Sequence, residues 1–134
     1  MVYAIMFAIS VHVLSGVFWA GSTFTLARGG ILVGSQLFRP QMGAAAIAVL
    51  SGTYLWSQLH DANFGTAESV LAIGAGCAVL AAGFQGAFCG PAIRALGNGT
   101  LSVSRAEARM AIGHRIGSGL LAITIVCMVI SRYV

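Results

Sequence analysis

Four long apolar runs fill most of this chain, and most of the charges that separate them are arginines. The runs are residues 2–27, 42–59, 67–92 and 110–132. A helix that crosses a bilayer needs about 20 mostly apolar residues. Three runs meet that length. The second is shorter, at about 18 residues, but holds no charge. Because lipid satisfies no backbone group, such runs are expected to be helices. The expected fold class is all-α, an integral membrane four-helix bundle forming one domain over 1–134. Its helices are expected at about 2–27, 42–59, 67–92 and 105–132.

Composition agrees. Hydrophobic residues make up 58% of the chain and charged residues 7%, whereas soluble domains carry about 25% charged residues. Four spans leave no length for a soluble domain. The net charge of +4 comes from arginines flanking the runs, so it implies no nucleic-acid partner; membrane lipids are the expected surroundings. The first run lacks a basic n-region and is too long for a signal-peptide core, so it is read as helix one.

Arginine placement predicts orientation. Arg28 and Arg39 lie between runs one and two, and Arg94, Arg105 and Arg109 between three and four. The His60–Glu68 segment has none. The positive-inside rule then places both arginine-bearing connections in the cytoplasm and both termini outside. Arg132 dissents and can snorkel to headgroups. Pro40 is expected just before helix two, Thr66 as the N-cap of helix three, and Ser104–Glu107 as a capping box for helix four. Asn98-Gly99 reads as a turn.

Small residues recur at helical spacing: Gly113 and Gly117, Gly16 and Ala20, and Gly76, Gly83, Gly86 and Gly90. Small residues let helices approach closely in lipid. Most are expected to serve bundle packing. One face, Gly113–Gly117 or Gly83–Gly90, is expected to meet another chain, as a homo-oligomer or in a larger membrane complex.

His12 is the sharpest candidate for chemistry, because intramembrane ionisable residues are rare and functional by default. Gly16, Trp19 and Thr23 share its helix face. Gly16 leaves a flat patch where a porphyrin could lie, and Trp19 would wall it. The alternative is a neutral histidine bonded to a hydroxyl or carbonyl of another helix. His114, beside Arg115, is the second candidate ligand, for haem or metal. At ~1.5 Å per residue, His12 lies ~3 Å outside mid-span and His114 ~10 Å inside it. That difference argues against both clamping one haem. Gln85 lies near the depth of His114, so a Gln85–His114 hydrogen bond is the structural alternative. Arg115 would pair with a haem propionate or a lipid phosphate. His60, Asp61 and Glu68 match no dedicated metal spacing and read as a solvated turn. Met6, Cys77, Cys89, Cys127 and Met128 are soft donors that could take Cu(I) but serve equally as apolar filler.

The string Val11-His12-Val13-Leu14-Ser15-Gly16-Val17-Phe18-Trp19-Ala20-Gly21 resembles the H…WxG signature of CopD-like copper-resistance membrane proteins. Related first-helix patterns occur in HemJ-type protoporphyrinogen oxidases and in the membrane part of bacterial cytochrome-c urate oxidases. Ser51-Gly52-Thr53-Tyr54-Leu55-Trp56 resembles their helix-two "TGxY" ending, and Ser131-Arg132-Tyr133 is similar to the close of small members. The resemblance implies a four-helix bundle in a bacterial inner membrane, with the helix-one histidine at a haem or copper site. HemJ-type proteins use a helix-one histidine and a lysine; only the histidine transfers, as His12, since the chain has no lysine.

Three functional classes follow. The leading one is a haem-b-binding protein or subunit in electron transfer, with His12 as axial ligand and the protein supplying a dry pocket. The second is copper handling by His12 with outer-half Met and Cys. The third is a non-catalytic subunit of a larger complex. No nucleophile with a base, phosphate loop or acid pair points to an autonomous enzyme.

Overall fold

The structure is a computed structural model that describes residues 2–60 and 64–134. It is an all-α bundle of four helices: α1 Val2–Leu26, α2 Ile31–Leu59, α3 Thr66–Gly97 and α4 Val103–Ile130. By length and composition α1, α3 and α4 can each cross a membrane. Their outward faces are apolar: Phe7, Leu14, Val17, Leu80, Ile125 and Val126 are all exposed. A bundle this apolar on its surface is built for lipid rather than water.

α2 differs from expectation. It starts at Ile31, not near residue 42, and Pro40 lies inside it rather than before it. Gln36, Arg39, Pro40 and Gln41 interrupt the apolar run without ending the helix. Hydropathy reports contact with lipid, whereas a helix needs only its backbone bonds. Pro40 removes one such bond, and the exposed face it shares with Gln36 and Arg39 is polar. For the same reason α3 continues through Pro91 to Gly97, past the apolar end at Ala92. Arg39 and Arg94 are therefore helical residues, and the first connection shrinks to Ala27–Gly30, where Gly29 and Gly30 take positive φ.

Two caps also differ. Gly65, not Thr66, caps α3, and its N–H donates to Glu68 Oε2 at 2.9 Å. The Ser104–Glu107 box does not form, because α4 begins at Val103 behind Ser102. Glu107 instead accepts the N–H of Gly30 at 3.3 Å, tying the start of α4 to the start of α2. The Asn98-Gly99 turn is as expected, with Gly99 at φ 70°.

The helices pack as two hairpins, α1 with α2 and α3 with α4, with α1 on α4 and α2 on α3 across the seam. Glycines set the α3–α4 spacing. A Cβ on Gly74 would sit 2.8 Å from Cys127 Cβ, and one on Gly113 would sit 2.9 Å from Phe88 Cβ. Thr124 adds an interhelical bond, donating to the Gly74 carbonyl at 2.9 Å. Gly113 and Gly117 thus pack against α3 within the chain. Gly76, Gly83 and Gly86 have open space where a Cβ would be. The core between the hairpins is small-residue packing: Ala45, Ala48, Ala78 and Ala81 around Trp19 and Leu121.

Candidate functional site

The bundle interior is polar where an apolar core would be simpler. Thr23, Gln41, Gln85 and His114 are all buried. Each comes from a different helix, and α4 also buries Thr124. In lipid an unpaired polar group is costly, and three of the four bond to one another. Thr23 Oγ1 donates to the Trp19 carbonyl at 2.7 Å and accepts from Gln41 Nε2 at 2.9 Å and Gln85 Nε2 at 2.8 Å. Gln85 Oε1 accepts the Trp19 indole N–H at 2.8 Å. A Cβ on Gly117 would come within 2.7 Å of Gln85 Nε2, so that glycine makes room for the amide.

His12 lies half-buried between α1 and α2. Its Nδ1 is 2.9 Å from the Ala48 carbonyl and 3.2 Å from Ser51 Oγ. A carbonyl only accepts, so Nδ1 carries a proton and donates; in the neutral ring Nε2 then keeps its lone pair. No hydrogen-bond partner for Nε2 occurs among the described residues. The ring lies over Gly52, where a Cβ would stand 3.0 Å from Cε1. Gly16, one turn on, has open space at its Cβ position. Trp19 is 2% exposed and packs with Ala48, whose carbonyl holds His12. His12 and Trp19 therefore lie against the same stretch of α2 around Ala48, whereas Gly16 opens onto empty space and the Trp19 ring is turned into the core and bonded to Gln85. An apolar groove of about 470 Å³ opens between the first half of α1 and the last half of α2, lined by Phe7, Ala8, Val11, Leu50, Ser51 and Tyr54 among others.

His114 and Arg115 belong elsewhere. His114 is 1% exposed, its Nε2 3.6 Å from Cys89 Sγ, and the thiol donates to the Met110 carbonyl at 3.8 Å. It does not meet Gln85, which the network above engages. It lines a small cavity with Leu26 of α1, fourteen residues or ~21 Å along the helix from His12. The two histidines are not brought together. Arg115 is exposed, and its Nε donates to the Ala27 carbonyl at 3.3 Å, capping the end of α1.

The remaining candidates have local partners. His60 stacks on Trp56 with ring centroids 4.9 Å apart, and Glu68 caps α3. Asp61 lies outside the described residues. Cys127 packs on Gly74, Cys89 pairs with His114, and Met6 is exposed. No group of three or more His, Cys, Asp or Glu residues comes together among the described residues. Sequence reasoning missed the roles of Gln41 and Cys89. The signal for Gln41 was an amide at the start of the second apolar run, which its neighbour Pro40 made look like a flank.

No protein-family model, curated protein or solved structure matches the chain.

Proposed function

We propose that this protein is a haem-b-binding subunit of a bacterial inner membrane, working in electron transfer, with His12 as an axial ligand. One observation carries the reading. The Nδ1–H of His12 is held by the Ala48 carbonyl, which fixes the ring and the tautomer and presents Nε2 as a donor. That is how proteins commonly orient a ligating histidine. The open space at Gly16 and the apolar groove that Ser51 shares support it. So does the resemblance of the helix-one H…WxG string to CopD-like and HemJ-type proteins. A bound haem would supply one-electron transfer. The chain's part is to hold an axial nitrogen and exclude water. His114 and Arg115 are not part of this site.

In the proposed topology all four helices cross, with both termini outside and the Arg28 and Asn98 connections in the cytoplasm. The absorption spectrum of gently purified protein, with metal analysis, tests the function. A Soret band that His12→Ala removes is the expected result. Stoichiometric copper without haem would favour copper handling.

A second reading rests on the outward glycines of α3. Gly76, Gly83 and Gly86 meet nothing within 4 Å, and small residues facing lipid gain nothing that a partner helix would not give. On that reading the protein is a packing subunit, and purified protein carries neither haem nor copper.

A further inference from the structure

His114 is nearly fully buried, yet one of its ring nitrogens is unaccounted for. Nε2 contacts the Cys89 thiol, while Nδ1 has no hydrogen-bond partner. The ring lines a cavity of about 10 Å³ at the arginine-bearing end of the bundle. Gly30 and Gly34 form one side, Leu26 and Met110 are its apolar walls, and Glu107 lies at its mouth. That volume is at the lower bound for a single water. Glu107 is exposed, and its Oε1 already holds the Gly30 N–H.

A buried imidazole nitrogen needs a partner whichever tautomer it adopts. The Cys89 thiol is on the other side of the ring. A metal ion would find one nitrogen, one carboxylate and mostly hydrocarbon there, too few donors for a closed site. The cavity lining offers a water the His114 imidazole, the Glu107 carboxylate and glycine backbone, polar groups of the kind that buried waters use.

We infer that this cavity binds one water against Nδ1 of His114 and that the water exchanges with solvent past Glu107. Among the described residues the titratable groups facing His114 are Cys89 from α3 and Glu107 from its own helix; the α1 and α2 walls contribute none. The site gives the bundle interior one hydrated imidazole, open at one end. It does not involve His12 and stands whether or not haem is bound.

Water-edited solid-state NMR of 15N-histidine-labelled protein in nanodiscs tests this. The His114 signals are assigned by their loss in His114→Gln. Magnetisation transfer from water to Nδ1 of His114 is expected. It is expected to be lost in Ala111→Leu, which fills the cavity wall, and in Gly34→Ala, whose Cβ would press on the Met110 methyl from 2.7 Å. Both variants are checked for helicity and Trp19 fluorescence. Wild-type protein without the transfer, transfer confined to Nε2, or full transfer in a folded Ala111→Leu protein would each overturn the proposal.

Discussion

The indole N–H of Trp19 donates to Gln85 Oε1 at 2.8 Å, and these residues belong to α1 and α3, the one pair of helices whose backbones stay apart. The bond spans the bundle centre that the Ala-rich core leaves narrow. Gln85 also donates to Thr23, so one amide joins α3 to two positions of α1.

Gln85→Leu should therefore destabilise the bundle by about 1–2 kcal/mol, because it strands a buried indole N–H. Adding Trp19→Phe should recover part of the loss. Unfolding of the single and double variants in bicelles or by steric trapping gives the coupling. A coupling indistinguishable from zero would mean the hydrogen bond is not formed.

The glycines divide into two groups. Gly74→Ala, Gly113→Ala and Gly117→Ala should each lower thermal stability in detergent, since their Cβ atoms would fall 2.7–2.9 Å from neighbouring side chains. Gly83→Ala and Gly119→Ala should not, having open space, and should gain slightly from helix propensity. Equal effects in both groups would contradict the α3–α4 packing.

Haem content should depend on the seat of His12 as well as on its nitrogen. Gly52→Ala places a Cβ 3.0 Å from the ring and should reduce the Soret absorbance per protein, while Gly43→Ala, in open space on the same helix, should leave it unchanged. His12→Ala should abolish it. Retention of full haem in His12→Ala would assign the ligand elsewhere.

Association, if present, should use α3. Gly83→Leu or Gly86→Leu should shift the mass measured in mild detergent toward the monomer, whereas Gly119→Leu on α4 should not. A wild-type protein that is monomeric in nanodiscs with nothing co-purifying would remove the partner altogether.

Orientation has a direct check. In protein with its three cysteines replaced by alanine, Phe64→Cys should react with an impermeant thiol reagent added outside, and Asn98→Cys should react only after the membrane is opened. The reverse pattern would invert the topology.

Sequence reading found the four helices because each carries a long apolar run, and three of them are long and apolar enough to cross a membrane. It missed the first third of α2 because Gln36, Arg39 and Pro40 interrupt the apolar run while staying helical. It put His12 on a face with Gly16 and Trp19 and distant from His114, since spacing along a helix fixes both depth and face. It paired Gln85 with His114 because they share a depth. The structure gives Gln85 to Trp19 and Thr23, and His114 to Cys89. Depth is legible from residue number, but the rotation of one helix against another is decided by packing, here by Gly113 and Gly117.

The length of α3 constrains the surrounding lipid. Its 32 residues extend ~48 Å at ~1.5 Å each, against a hydrocarbon core of ~30 Å. Even inclined by ~40°, the upper end of what spanning helices adopt, it would still cover ~37 Å of thickness. An α3 that crosses the membrane would therefore place some of its length in the headgroup layer. The end beyond Pro91, where Arg94 sits, is suited to that position. A thicker bilayer would draw this end toward hydrocarbon and a thinner one would release it. In the proposed topology the arginine-bearing end of the bundle would thus respond to the thickness of the membrane around it.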